Sequence, residues 1–162
     1  MWCIQTMNIF VLDYDVKLAA QAHVDKHCVK MILETTQLLN NALIVGSPGY
    51  DPVYRQTHKN HPCSIWVAES VANFEWLSNL GLALCEEYTY RYSKTHKCQP
   101  ILQQFSSLIH TLNLPQIGLT PYKLCMPDQY KVSDPVESYR NYYRGDKAYI
   151  AKWSKREQPK WW

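Results

Sequence analysis

A chain of 162 residues, 46% hydrophobic and 19% charged, is long enough for one domain with a real core, and no apolar run approaches the ~20 residues of a membrane span, so no membrane is expected as a partner. Twelve Tyr and six Trp beside only five Gly argue against a turn-rich all-β design. The net charge of +3 is uneven: nine Lys or Arg face five Asp or Glu from Tyr122 onward, against eight and nine before it. A basic, aromatic-rich final quarter fits an anionic partner, nucleic acid above all, or else a tail that serves only solubility.

In chain order, Met7-Asn-Ile-Phe-Val-Leu-Asp13 is a short apolar run, either a brief strand or an extended lead-in. Met7 also looks like an alternative start to Met1, and the six residues before it show neither a pattern nor a signal peptide. Asp13 or Asp15 is placed to cap the long central helix that follows, read from Asp15 through Leu39 and stopped by Gly46-Ser-Pro-Gly49. On it Leu18, Ala22, Val29 and Leu33 fall on one line within a wide apolar arc, opposite a stripe of His23, His27, Lys30 and Glu34. Such a stripe is either a solvated face or a site. Asp25 falls inside the apolar arc, where a carboxylate is either a hydrogen-bonded structural group or a site residue facing a cleft.

Pro62 to about Tyr92 reads as a second helix, with Glu69, Asn73, Glu87 and Arg91 on one side and an i, i+4 ion pair between the last two. Pro100 to Leu114 reads as a third. Pro115, Gly118, Pro121 and Pro127 mark an irregular crossing. Asp134-Pro-Val-Glu starts a last helix running to Trp153, on which tyrosines alternate with Arg140, Arg144, Lys147 and Lys152. The fold expected is therefore mainly α: one compact domain, residues 1–162, of about four helices around a central N-terminal helix, with long irregular loops. Cys3, Cys28, Cys63, Cys85, Cys98 and Cys125 form no C-x-x-C pair, so free thiols in a reducing cytoplasm are expected.

No phosphate-binding glycine loop, nucleophile elbow or cysteine zinc pattern is present, and no cofactor is expected. His23, Asp25 and His27 form H-x-D-x-H, of which only the two histidines share a helical face. With Glu34, His58 or His61 they make a possible two-histidine carboxylate metal set.

Met7-Asn-Ile-Phe-Val-Leu-Asp, Asp25-Lys-His-Cys-Val-Lys-Met-Ile-Leu-Glu34, Asn60-His-Pro-Cys-Ser-Ile-Trp66, Met126-Pro-Asp128 and Tyr139-Arg-Asn-Tyr-Tyr143 resemble a group of small phage-encoded proteins of unassigned function. More distantly, the order of elements resembles the phage-type pyrimidine-dimer DNA glycosylases (endonuclease V). That resemblance implies a catalytic carboxylate early in the first helix, where His23-Val-Asp25 falls. It also implies an E-x-x-x-R ending to the second helix, matched by Glu87 to Arg91, and an aromatic tail, matched by Pro159-Lys-Trp161. It implies an amine nucleophile, which those enzymes take from the N-terminus. Here the acid at that position is Asp rather than Glu, and neither Met1-Trp2 nor Met7-Asn8 is a favourable site for Met removal.

The leading reading is thus a DNA glycosylase or lyase acting on damaged or modified duplex, in the host cytoplasm if phage-encoded. Asp25 would be acid/base and Lys30 or the N-terminal amine the nucleophile, with His23, His27 and Arg91 orienting phosphate and base. Arg140, Arg144, Lys147, Lys152 and Trp161 would hold the distorted DNA, since a stacked base cannot be reached. The alternatives are a non-catalytic accessory protein binding nucleic acid or a host protein, and a metal-dependent enzyme using His23, His27 and Glu34.

Overall fold

The computed structural model describes residues 7–162; the expectations for Met1, the N-terminal amine and Cys3 fall outside them. Among the described residues there are six α-helices and no strand: α1 Val16–Ala22, α2 Asp25–Gly46, α3 Pro62–Val67, α4 Val71–Tyr92, α5 Gln99–Ser107 and α6 Pro135–Asp146. The mainly helical expectation holds, with two of the expected helices each divided in two. No helix among these residues is long and apolar enough to cross a membrane.

The long N-terminal helix breaks at His23 and Val24, whose ψ angles of 132° and 157° are extended. The break survives because the carbonyls it exposes find remote donors. Arg91 donates to the carbonyls of Gln21 and His23 at 3.0 and 2.8 Å, and Trp153 Nε1 donates to that of Ala22 at 2.8 Å. Asp15 caps α1 by accepting from the Leu18 N–H. Because the break resets the helical phase, Leu18 does not continue the line of α2, and it is 52% exposed. Val29 is exposed as well, so the apolar arc is narrower than the pattern implied.

α2 and α4 pack along each other through Ile32, Leu39, Leu77, Leu80 and Leu84, with α1 and α5 laid on α4. Gly81 permits the approach, since a Cβ there would stand 2.9 Å from the Thr35 methyl and 3.1 Å from Leu102. The second expected helix breaks before Ser70, whose hydroxyl accepts from the Asn73 N–H and restarts it as α4. The third ends early at Ser107 and continues as a 3-10 turn over Ile109–Thr111; the last stops at Asp146 rather than Trp153, followed by another over Ala148–Ile150.

Met7 to Leu12 is an extended lead-in, buried along its whole length. It runs alongside α2 and α6 and is fastened by side chains instead of a sheet. Asn8 Nδ2 donates to the Cys125 carbonyl at 3.0 Å, Tyr139 donates to Asn8 Oδ1 at 3.1 Å, and Arg140 Nε donates to the Leu12 carbonyl at 2.9 Å. The irregular crossing is held the same way: Asn73 pairs with Thr120 through both its amide and carbonyl, and Glu69 binds Thr120 and Lys123.

Candidate functional site

Three of the four stripe residues, His27, Lys30 and Glu34, line one wall of a cleft. His27 and Glu34 are buried at 7% and 6% exposure, and only Lys30 between them reaches solvent freely. The lead-in and α6 close over the stripe and leave a small polar cleft of about 40 Å³ lined by Asn8, Phe10, His27, Lys30, Glu34, Tyr142 and Lys147, with Met31 at its floor. In this conformation it has room for a few waters, so a ligand as large as a sugar or base meets these groups at its open side.

Glu34 is the unusual group. Its Oε2 is buried without a hydrogen bond, and Lys30 Nζ stands 3.7 Å away, close enough to attract but too far to bond. The Asn8 main-chain N–H donates to the carboxylate. Burial outweighs these favourable partners and pushes the Glu34 carboxyl up to about 7, so it is half protonated near neutral pH. Lys147, half buried on the opposite wall with its ammonium 4.9 Å above the Tyr142 ring, is shifted downward by desolvation, with Lys30 adding to the shift. A carboxylic acid able to give and take a proton thus faces two amines, a combination suited to acid/base chemistry with a nitrogen nucleophile.

His27 is held rigidly: its ring stacks on Phe10 at 4.4 Å and Nδ1 meets the Tyr143 hydroxyl at 2.7 Å. Burial, helped by His23, Lys147 and Lys30, lowers it to about 3, so at neutral pH it is an uncharged wall of the cleft. His23 is fully buried behind the break and donates from Nδ1 to the Ala19 carbonyl at 2.6 Å. Burial lowers it to about 4, and its Nε2 has no partner. Neither histidine is a phosphate-binding cation. Among the described residues His23, His27 and Glu34 do not converge on a common metal position; the one such grouping is elsewhere.

Asp25 and Arg91 lie away from this cleft, in a buried ionic knot. Asp25 opens α2 and accepts from Arg91 at 3.0 Å and from the Ser154 N–H and hydroxyl at 2.8 and 2.5 Å. Burial would raise its carboxyl, but Ser154 and Arg91 prevail and hold it low. Arg91 is fully committed in turn, binding Glu87 Oε2 at 2.7 Å besides Asp25 and the two α1 carbonyls, and Arg156 closes the knot on Glu87 at 2.9 Å. The i, i+4 pair of Glu87 and Arg91 is present as expected, but buried, and it welds three segments instead of two helices. Asp25 is 14% exposed at its side chain, short of a sealed core, and it does not line the cleft.

The C-terminal cations divide. Arg140 binds Asp13 at 3.2 Å, Arg144 binds Glu137 and Asn141 at 2.6 Å and the Trp161 carbonyl at 2.7 Å, and both guanidiniums lie over the Trp161 ring. They anchor the aromatic tail. Lys152 is exposed, and Lys147 belongs to the cleft. Sequence reasoning missed Glu34 as an acid and Asn8 altogether. The available signal was the lead-in itself: an apolar run with one Asn must cover some helix face, and the mixed stripe was one of the two polar faces it could roof.

A family model described as pyrimidine dimer DNA glycosylase matches residues 7–100, more than half of the chain. No curated protein and no solved structure gives a significant match.

Proposed function

Because the chain belongs to the pyrimidine dimer DNA glycosylase family, we propose that the Asn8–Glu34 cleft excises a damaged base from duplex DNA, with Glu34 rather than Asp25 as acid/base. One observation carries this reading: Glu34 is a buried carboxyl, poised near neutrality, at the mouth of a cleft that also holds two amines. Asp25, held ionised by Arg91 and Ser154, is a poor proton donor at any physiological pH and serves to hold the break between α1 and α2.

The chemistry balances on these groups. A neutral amine attacks C1′ of the extruded nucleotide as the bond from C1′ to the base breaks. The amine gives up one proton and Glu34 another; one goes to the departing base and one to the ring oxygen as the sugar opens. An iminium on C1′ and an ionised Glu34 remain, and that carboxylate then takes a 2′ proton, which expels the 3′ phosphate in the lyase step. Lys30 and Lys147 supply the amine in a chain that extends through Met1–Thr6, where the Asn8 nitrogen is a peptide amide. Translation from Met7 followed by loss of that Met would instead leave an α-amine in contact with Glu34, and the ordinary α-amine pKa of about 7.7 to 8.0 leaves enough of it unprotonated for attack at neutral pH. In the phage setting that the sequence resembles, this DNA is in the host cytoplasm. Lys30 and Lys147 border the cleft and are placed to meet phosphates, while Lys152 is exposed beside the Asp25 knot.

Borohydride reduction on duplex carrying ultraviolet photoproducts or an abasic site tests the proposal. Wild-type protein should give a covalent adduct, Glu34→Gln should suppress turnover by about 100-fold or more, and peptide mapping of the adduct identifies the amine. An adduct unaffected by Glu34→Gln but lost in Asp25→Asn, in a variant of native fold, would return the role to Asp25. No adduct and no base release on any substrate would leave a DNA-binding accessory protein.

A further inference from the structure

Behind Asn8, on the side away from the cleft, three side chains converge from distant segments. Cys63 Sγ and Cys125 Sγ are 3.8 Å apart although 62 residues separate them in sequence. A ring nitrogen of His61 and both sulfurs all lie within 4.8 Å of one another. Both cysteines are buried and His61 is partly exposed. We propose that His61, Cys63 and Cys125 bind a zinc ion that pins the irregular crossing segment to the start of α3.

The S···S separation is that of a thiol–thiol contact and equally the one a metal site needs, and the imidazole beside it points to the metal. Sulfurs each ~2.3 Å from one tetrahedral zinc ion stand roughly 3.8 Å apart, the separation already present. It is far outside the ~2.05 Å of a disulfide, which would require the two chains to shift toward each other. The donor set, one imidazole and two soft sulfurs, is zinc's own preference over magnesium or calcium. As N-cap of α3 His61 accepts the Cys63 N–H on Nδ1 at 3.0 Å, which holds the ring beside Cys63; a neutral imidazole has one free lone pair, so the ion would take it in place of that N–H. Among the described residues no fourth His, Cys, Asp or Glu joins the group, so water completes the shell. The short H-x-C spacing with a distant second cysteine explains why no sequence pattern shows the site.

The place of the site in the fold gives it a purpose. Cys125 is held at its carbonyl by Asn8, whose Oδ1 lies 4.0 Å from Cys63 Sγ and accepts from Tyr139. The ion would fix the segment against which the lead-in, and therefore the roof of the cleft, is braced. It lies outside the cleft and would brace the fold with one position left to water.

Cobalt(II) binding to the full-length chain, purified under reducing conditions and stripped of metal, tests this without DNA and so independently of base excision. One cobalt per chain is expected, with intense thiolate-to-cobalt charge-transfer absorption and the visible bands of a tetrahedral ion, displaced by zinc. Cys125→Ser should lower the charge-transfer intensity by about half, one of the two thiolates being gone, and His61→Ala should weaken zinc binding by about tenfold or more. His61 is partly exposed, so that variant keeps the test available where a cysteine variant fails to fold. A wild-type chain that takes up neither cobalt nor zinc overturns the proposal. So does cobalt bound without charge-transfer absorption, or a Cys63–Cys125 disulfide in the metal-free reduced preparation.

Discussion

Replacing Glu34 with Gln should make the protein more stable while it removes activity. The carboxyl is raised from 4.5 to about 7 by burial, so between those values the folded state holds a proton that the unfolded state has released. Native stability therefore falls as pH rises through this window, and the loss is complete above the folded value. Each pH unit between the two values is worth about 1.4 kcal/mol, giving an upper limit of roughly 3 kcal/mol, and about 2 kcal/mol once water access through the cleft is allowed for. In a chain of this size that is ~4–8 °C in melting temperature. The amide keeps the shape and cannot ionise. Thermal unfolding of both proteins should show Glu34→Gln more stable at about pH 8.5 and nearly equal at about pH 5. The difference between the two proteins is the quantity to read, because His23 and His27, lowered to about 4 and about 3, act oppositely: the unfolded chain protonates first below about 6.5, so stability falls on acidification. A difference that is absent, reversed, or the same at both pH values would refute the claim that Glu34 is a strained carboxyl.

Arg91→Leu should cost about 3–5 kcal/mol in chemical denaturation, since Asp25 and the α1 carbonyls lose a buried partner; a loss under about 1 kcal/mol would deny the knot its role. Gly81→Val should cost at least about 2 kcal/mol by crowding Thr35 and Leu102 where α2 and α4 meet, with an unchanged melting temperature as the contrary result. The His27 ring should keep its neutral NMR shifts from about pH 8 down to about pH 5, and a transition near 6.5 would contradict its burial. If Lys147 meets a phosphate, Lys147→Ala should reduce the slope of log affinity against log salt by about 1, whereas a uniform loss of affinity with the same slope would give it a different task.

The helical class, the caps at Asp15 and Asp134, the stop at Gly46 and the Glu87–Arg91 pair were legible because each depends on residues close in sequence. The two breaks were not. His23 and Val24 carry no local signal against a helix; what holds them extended is Arg91, 68 residues from His23, and Trp153, 131 residues from Ala22. The same distance hid the site. His27, Lys30 and Glu34 were recognised as one face, but a face cannot announce whether it meets water or a roof. Here the roof comes from Asn8, Phe10, Tyr142 and Lys147. Asp25 drew attention as a charge among apolar neighbours, and the pattern could not reveal that Ser154 and Arg91 would neutralise it.

The cleft's roof is drawn from both extremes of the described chain, Asn8 and Phe10 at one and Tyr142 and Lys147 at the other. During synthesis the lead-in emerges first and has to wait for α6 before it can be buried, so these pairings, with the largest loops to close, form last. A nascent or prematurely terminated chain consequently has the acid but no chamber around it. If this cleft is the active site, reactivity toward DNA waits for completion of α6, and a fragment ending before Pro135 is expected to be inert.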